Sequence, residues 1–214
     1  MLLKFKTKDK ARICADGSVN PAHAGSFGEL ITGATVGKYY ELSSQGRIFV
    51  AATQTPGFFP AFPRASISTL AIFNPTNSGV NVAILAGVIT VTTLLTSAGP
   101  FNPTWVAVDN PTIALPTIAT TVSAQPCLLG AGYTSAVRVM VNANTIVSPN
   151  VIRVFPFAYS NVVTTSTASG SLSQVDKVDG AICLAPGTTV VLQSFAPAAN
   201  VQGLCSVTWA EIPY

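Results

Sequence analysis

The chain has 214 residues with 11 Lys and Arg, 8 Asp and Glu and one His, and charged residues make up only 9% of it, against about a quarter in an ordinary soluble domain. Hydrophobic residues supply 49%, and Ser and Thr add 18 and 24, so the polar surface is built mostly from hydroxyls and backbone. This excludes a disordered chain, a coiled coil and a helical bundle, leaves little material for acid–base or metal chemistry, and makes the net charge of +3 too small to mark a nucleic-acid binder.

The chain opens on a basic segment. Lys4, Lys6, Lys8, Lys10 and Arg12 fall on every second residue, opposed only by Asp9. Extended, these cations project from one side, and Phe5, Thr7, Ala11 and Ile13 from the other. Such an arm is either a solvated tail, a docking arm for an acidic partner surface or an added edge strand. No aromatic platform is interleaved with the cations, so nucleic acid is not the expected partner. The segment has no apolar run of signal-peptide length, which predicts a protein made in the cytosol. Gly17–Gly37 reads as a glycine-rich loop, so residues 1–45 are taken as arm and loop and residues 46–214 as the folded domain.

Short runs rich in Val, Ile, Thr and aromatics then follow, as strands require. They are Arg47–Ala52, Ser66–Phe73, Val80–Leu95, Trp105–Asp109, Ala119–Leu128, Tyr133–Val141, Val151–Ser160, Ala181–Leu184, Thr188–Ala196 and Leu204–Ile212. Turn formers separate them, notably Asn74–Gly79, Ser97–Pro100, Ser148–Asn150 and Ala185–Gly187. No amphipathic helical stretch of three turns is present. Strands at spacings near ten residues predict an all-β sandwich or barrel. The longest apolar stretch, Val82–Val91, is about half of what a transmembrane helix needs, so no membrane is expected. Within it, Ala83–Val91 is apolar on both parities, which predicts cover on both faces, with a subunit interface the more economical source. Trp209 shares parity with Cys205 and Val207 and is placed in the core.

Sites for chemistry are few. There is no Gly-x-Ser-x-Gly elbow and no phosphate loop; Gly130-Ala131-Gly132 reads as a turn with glycines at positive φ. His23, Cys14 and Asp16 fall short of a zinc ligand set. Asp176-Lys177-Val178-Asp179-Gly180 is the densest acidic segment, but Lys177 opposes a cation, and it reads as a solvated turn. Glu29, Glu41, Asp109 and Glu211 are scattered. Cys183 and Cys205 either face each other across strands or are free buried thiols. No catalytic residue, metal site or cofactor is therefore expected, and the chain is read as not an enzyme. Trp105, Tyr133 and Tyr159 are the aromatics that would contact a glycan if exposed, with core packing the competing role; Phe58-Phe59 is a further such pair.

Two segments stand out together. Ser68–Val82 is a strand, a sharp Asn74-Pro75-Thr76-Asn77-Ser78-Gly79 turn and a second strand. Ala181–Gln193 followed by Val207–Pro213 is a strand series closing on Trp209-x-Glu211-x-Pro213. The combination resembles virion structural proteins of tailed bacteriophages, small jelly-roll proteins that decorate the head or sit at fibres and spikes. It covers under a third of the chain. The resemblance implies an antiparallel jelly-roll β-sandwich with an extended N-terminal arm, located in the virion after assembly in the host cytoplasm. It implies a homo-oligomer, commonly a trimer, whose partner is the major capsid protein or another virion protein. The expectation is a non-enzymatic decoration or cement subunit docked through Lys4, Lys6, Lys8, Lys10 and Arg12. The alternatives are a receptor- or glycan-binding module of a tail or head fibre and, third, a β-sandwich hydrolase.

Overall fold

A computed structural model describes residues 38–58, 70–92, 100–108, 120–141, 150–156, 159–160, 172–195 and 202–214. They form one short helix, α1 (Tyr40–Ser44), and thirteen strands: β1 (Ile48–Ala52), β2 (Gly57–Phe58), β3 (Leu70–Phe73), β4 (Val80–Val91), β5 (Pro100–Val108), β6 (Thr120–Val122), β7 (Gln125–Pro126), β8 (Arg138–Val141), β9 (Asn150–Val154), β10 (Tyr159–Ser160), β11 (Leu172–Leu184), β12 (Thr189–Phe195) and β13 (Gln202–Pro213). The class is all-β.

The strands make two antiparallel sheets. The first runs β11-β4-β13-β1-β7, with β2 also paired to β13; the second runs β10-β5-β12-β3-β8-β6, with β9 also paired to β5. Strand β13 pairs with β4 from Gly203↔Val91 to Pro213↔Val80 and with β1 from Ile48↔Ala210 to Ala52↔Ser206. The chain between Thr120 and Val141 contributes β7 to the first sheet and β6 and β8 to the second, so it spans both at one edge. At the other edge stand β11 in one sheet and β9–β10 in the other.

Alternation along the strands builds the core between the sheets. Cys205, Val207 and Trp209 of β13 are buried, as their shared parity predicts. They meet Phe49, Ile84 and Ile89 from their own sheet and Leu70, Ile72, Trp105, Val190 and Leu192 from the facing one. Each such side chain, removed from water, contributes about 1.5–3 kcal/mol before entropy is counted. Trp209 stacks on Phe49 with ring centroids 6.2 Å apart, and Trp105 stacks on Phe155 at 5.9 Å.

Three local differences from the sequence reading have physical causes. In β4, Val82, Ala83, Ile84 and Leu85 are buried in succession. Leu85 is covered from within the chain, where Tyr39 and Leu42 pack on it with Ile48 and Ala210, while Ala86, Val88 and Thr90 farther along β4 are half-buried. Tyr39 and Leu42, from the end of the arm-and-loop region, thus pack against the first sheet. Strand β5 starts at Pro100 rather than Trp105 and runs through Pro103. Prolines cannot donate to a ladder, but the Pro103 carbonyl, which accepts from the Phe155 N–H at 3.0 Å, faces the break between β9 and β10, where a missing donor costs nothing. Finally, Asp176–Gly180 lies within β11 rather than in a turn. A bulge between Lys177 and Ile182 carries Asp179 and Gly180 at φ 52° and 85°, a conformation that Asp and Gly tolerate.

The two segments that carry the phage resemblance meet in space. Asn74, fully buried, donates from Nδ2 to the carbonyls of Val80 (2.9 Å) and Leu184 (3.1 Å). Its backbone exchanges hydrogen bonds with Thr188 (3.0 Å) and Gly187 (2.7 Å). The β3–β4 turn is thereby fastened to the Ala185-Pro186-Gly187 turn, where Gly187 at φ 84° and the Thr188 N–H to Ala185 carbonyl bond close a tight corner.

Candidate functional site

Strand parity aims Asp176 of β11 inward, between the sheets. There it accepts from Trp105 Nε1 at 2.9 Å and receives a two-pronged contact from Arg153, Nε to Oδ2 at 2.8 Å and Nη2 to Oδ1 at 2.9 Å. Asp176 is 1% exposed and Trp105 0%. The carboxylate holds the Arg153 guanidinium charged, above its ordinary range. Trp105 reaches this place because Gly87 opposite has no side chain; a Cβ there would lie 2.4 Å from the indole ring. The cluster is a clamp joining β11 to β5 and β9 across the open edge. Trp105 is therefore removed from the glycan-contact set: it cannot meet a sugar because it is sealed in the core by Gly87, Phe155 and Asp176.

Asp176 and Asp179 do not converge on a cation either. Asp179 lies on the outer side of the bulge, accepting from the Tyr39 hydroxyl and pairing with Lys38 at 3.0 Å. The tyrosine hydroxyl first, and the Lys38 ammonium second, hold the Asp179 carboxyl below its usual range. Among the described residues no three His, Cys, Asp or Glu side chains gather in a metal-binding group. Cys183 and Cys205 do not face each other: β4 lies between their strands, and both thiols are free, with Cys205 buried and its thiol pushed far up by desolvation. Cys127 is at the surface, with its thiol raised by partial desolvation.

Tyr133 is the predicted aromatic that meets open space. Glu211, itself only 7% exposed, holds the segment that follows Tyr133 in place. It accepts from Ser135 Oγ, from the Ala136 N–H at 3.1 Å and from Trp209 Nε1 at 3.2 Å, which gives the Trp-x-Glu-x-Pro close a structural reason. The Tyr133 ring lies on Gly46, whose absent side chain makes the contact possible. Beside it opens a cleft of about 510 Å³ lined by Gln125, Pro126, Tyr133, Thr134, Ser135 and Val137. The loop after β7, pinned by the Cys127 N–H to the Ile48 carbonyl at 2.8 Å, exposes Leu128 and, at 82%, Leu129. Gly130 and Gly132 in this loop have φ of 78° and 70°, as the turn reading predicts.

At the opposite edge, β9 exposes Val151, Ile152 and Val154, and the outer face of β11 exposes Val175. Among the described residues no strand pairs with the outer side of β9 or β11. Arg153 on the same strand turns its guanidinium to Asp176 while 37% of its side chain stays exposed, so Val151, Ile152 and Val154 share this edge with a charge.

Lys4, Lys6, Lys8, Lys10 and Arg12, with Cys14, Asp16, His23, Glu29, Phe59 and Asp109, lie outside the described residues. So do the side chains of Phe58 and Tyr159, although the Tyr159 backbone pairs with Phe101. No helix among the described residues is long and apolar enough to cross a membrane. Compared with protein-family models, curated proteins and solved structures, the chain matches none.

Proposed function

We propose that this chain is a non-enzymatic structural protein of a virion: a jelly roll that oligomerises, docks on the capsid shell and acts as a decoration or cement subunit. The observation that carries the reading is the strand order. Setting aside β2 and the edge strands β6, β7 and β8, and numbering β1, β3, β4, β5, β9–β10, β11, β12 and β13 in chain order, the first sheet runs first, eighth, third, sixth and the second runs second, seventh, fourth, fifth. That interleaving follows from folding two hairpin-paired ribbons over each other, as in jelly rolls of capsids and lectins. Fold alone does not name a function. The step to a virion subunit rests on the sparse charge, the hydroxyl-rich composition and the apolar strand edge, which together suit a protein held among copies of itself on a shell.

The test uses particles from the chain's own source. An antibody raised to the purified protein decorates intact virions if the reading is right, and finds it only in the unassembled fraction if it is wrong. A protein lacking residues 1–12 folds as before and no longer sediments with capsids if the arm docks; undiminished occupancy rejects the arm's role.

A second reading, a glycan-binding module, now rests on Tyr133 and its cleft. A glycan array on which a signal appears and is lost with Tyr133→Ala favours it; a blank array removes it.

A further inference from the structure

The cleft beside Tyr133 is built at the edge where one stretch of chain joins both sheets. Its first wall is residues 123–126, where β7 pairs with β1 at Phe49↔Pro126 and Val50↔Gln125; its second runs through residues 130–137 and leads into β8 of the other sheet. Two anchors fix these walls: the Cys127 N–H bonds the Ile48 carbonyl, and Glu211 holds Ser135 and Ala136. The Tyr133 ring rests on Gly46 and stays 47% exposed. Loops carried on a rigid scaffold are the usual setting for recognition. A volume of about 510 Å³ falls within the roughly 300–1,000 Å³ of small-molecule pockets.

What the lining offers narrows the ligand. The hydroxyls of Ser123, Tyr133 and Thr134 and the amide of Gln125 have no hydrogen-bond partner among the described residues. Each of these groups can both donate and accept. No lining side chain is ionised: Glu211 is turned onto Ser135 and Ala136, and Arg138, next to Val137, does not line the cleft. A charged ligand would therefore enter without a counter-ion. A wholly apolar ligand would strand the free hydroxyls and the amide. A proline-rich peptide calls for a groove walled by several aromatics, and Tyr133 stands alone among the lining residues. A neutral saccharide meets all of these demands. Its hydroxyls donate and accept, and its C–H ring face lies against the electron-rich face of an aromatic ring. We infer that the cleft holds a small uncharged sugar, with Tyr133 as the stacking platform and Ser123, Gln125 and Thr134 as the hydrogen-bonding groups. The inference rests on the glycan-binding reading and names its ligand class.

The experiment is a saturation-transfer NMR titration of the full chain. The probes are the methyl glycosides of glucose, galactose, mannose and N-acetylglucosamine, set against glucuronic acid, N-acetylneuraminic acid and a proline-rich peptide. At least one neutral glycoside is expected to bind, and neither acid. Gln125→Ala is expected to weaken that binding by roughly 2- to 12-fold, the worth of one neutral hydrogen bond, and Tyr133→Ala by about 10-fold or more. Should Tyr133→Ala melt early, because its ring packs on Gly46, Gln125→Ala and Thr134→Val carry the test. A Tyr133-dependent signal from the acids alone overturns the inference and keeps the glycan-binding reading. Neutral-sugar binding that none of the variants weakens puts the sugar elsewhere and overturns the cleft as its site. Tyr133-dependent peptide binding, or silence from every sugar, sinks the inference and the glycan-binding reading together.

Discussion

Asp176 carries a structural weight that its neighbours in the chain conceal. The sequence Asp176-Lys177-Val178-Asp179-Gly180 has the look of a wet turn, because nothing local distinguishes an acid that faces water from one that faces a tryptophan. Its partners, Arg153 and Trp105, are 23 and 71 residues away. Removing Asp176 takes away its hydrogen bonds to the Trp105 indole and the Arg153 guanidinium, and because Arg153 stays 37% exposed and is resolvated, the cost is about 1–3 kcal/mol. Asp176→Ala is therefore expected to lower the melting temperature by roughly 2–12 °C, taking about 2–4 °C per kcal/mol for a chain of this size. Asp176→Asn keeps an acceptor for the indole and should lose less. Gly87 is the other half of this arrangement. Gly87→Ala places a methyl into the Trp105 ring, and the rigid surroundings make a loss of about 1–3 kcal/mol the expected result in a denaturant titration.

Among the elements, those defined by period two were readable and those defined by covering or pairing were not. Strands β1, β4, β12 and β13 were recognisable from their alternation or apolar runs, and Trp209 was placed in the core by parity alone. Strand β5 was shortened because Pro100 and Pro103 read as breaks; its tolerance of Pro103 depends on a gap in β9–β10 that no local pattern reveals. Helix α1 is five residues long, too short to leave a periodic signal, yet its Leu42 and the Tyr39 that precedes it seal Leu85 of β4. What pins this seal to β11 is Asp179, and that contact depends on pH. Because the folded carboxyl sits below its unfolded value near 3.8, the contact contributes fully above that pH and is lost as pH falls through the lowered value. Proteolytic cleavage around residues 38–40 should rise as the solution is acidified below about pH 4, and Asp179→Asn should be cleaved readily at neutral pH. An acid-insensitive cutting rate would show that the seal is held by Leu42 alone.

For the molecule as a whole, composition and strand spacing sufficed for the class, all-β in two antiparallel layers. The order of strands within each layer was beyond reach, since β1 and β13 or β3 and β12 meet only through pairings across more than a hundred residues. The cleft beside Tyr133 is legible in the sequence as one aromatic and no more; its walls between Ser123 and Val137 are held by Glu211, bonded to Ser135 and Ala136, and by Gly46 against the Tyr133 ring, neither of which marks a site in sequence. Thiol accessibility offers a global check on this layering. Cys183 and Cys127 lie at the surface and should alkylate in the folded protein, whereas Cys205 sits between the sheets with its thiol held neutral and should react only after unfolding. Early labelling of Cys205 would contradict a closed core.

The central place of β13 between β4 and β1 has a temporal meaning during synthesis. About 110 residues separate the end of β4 at Val91 from Gln202, where β13 begins, an interval of roughly 5–20 s at ordinary translation speeds. Throughout it, a nascent chain displays two greasy ribbons whose common neighbour has not yet been made. Ribosome-associated chaperones are thus natural companions of this polypeptide, and its layers can zip together only once the final ribbon emerges.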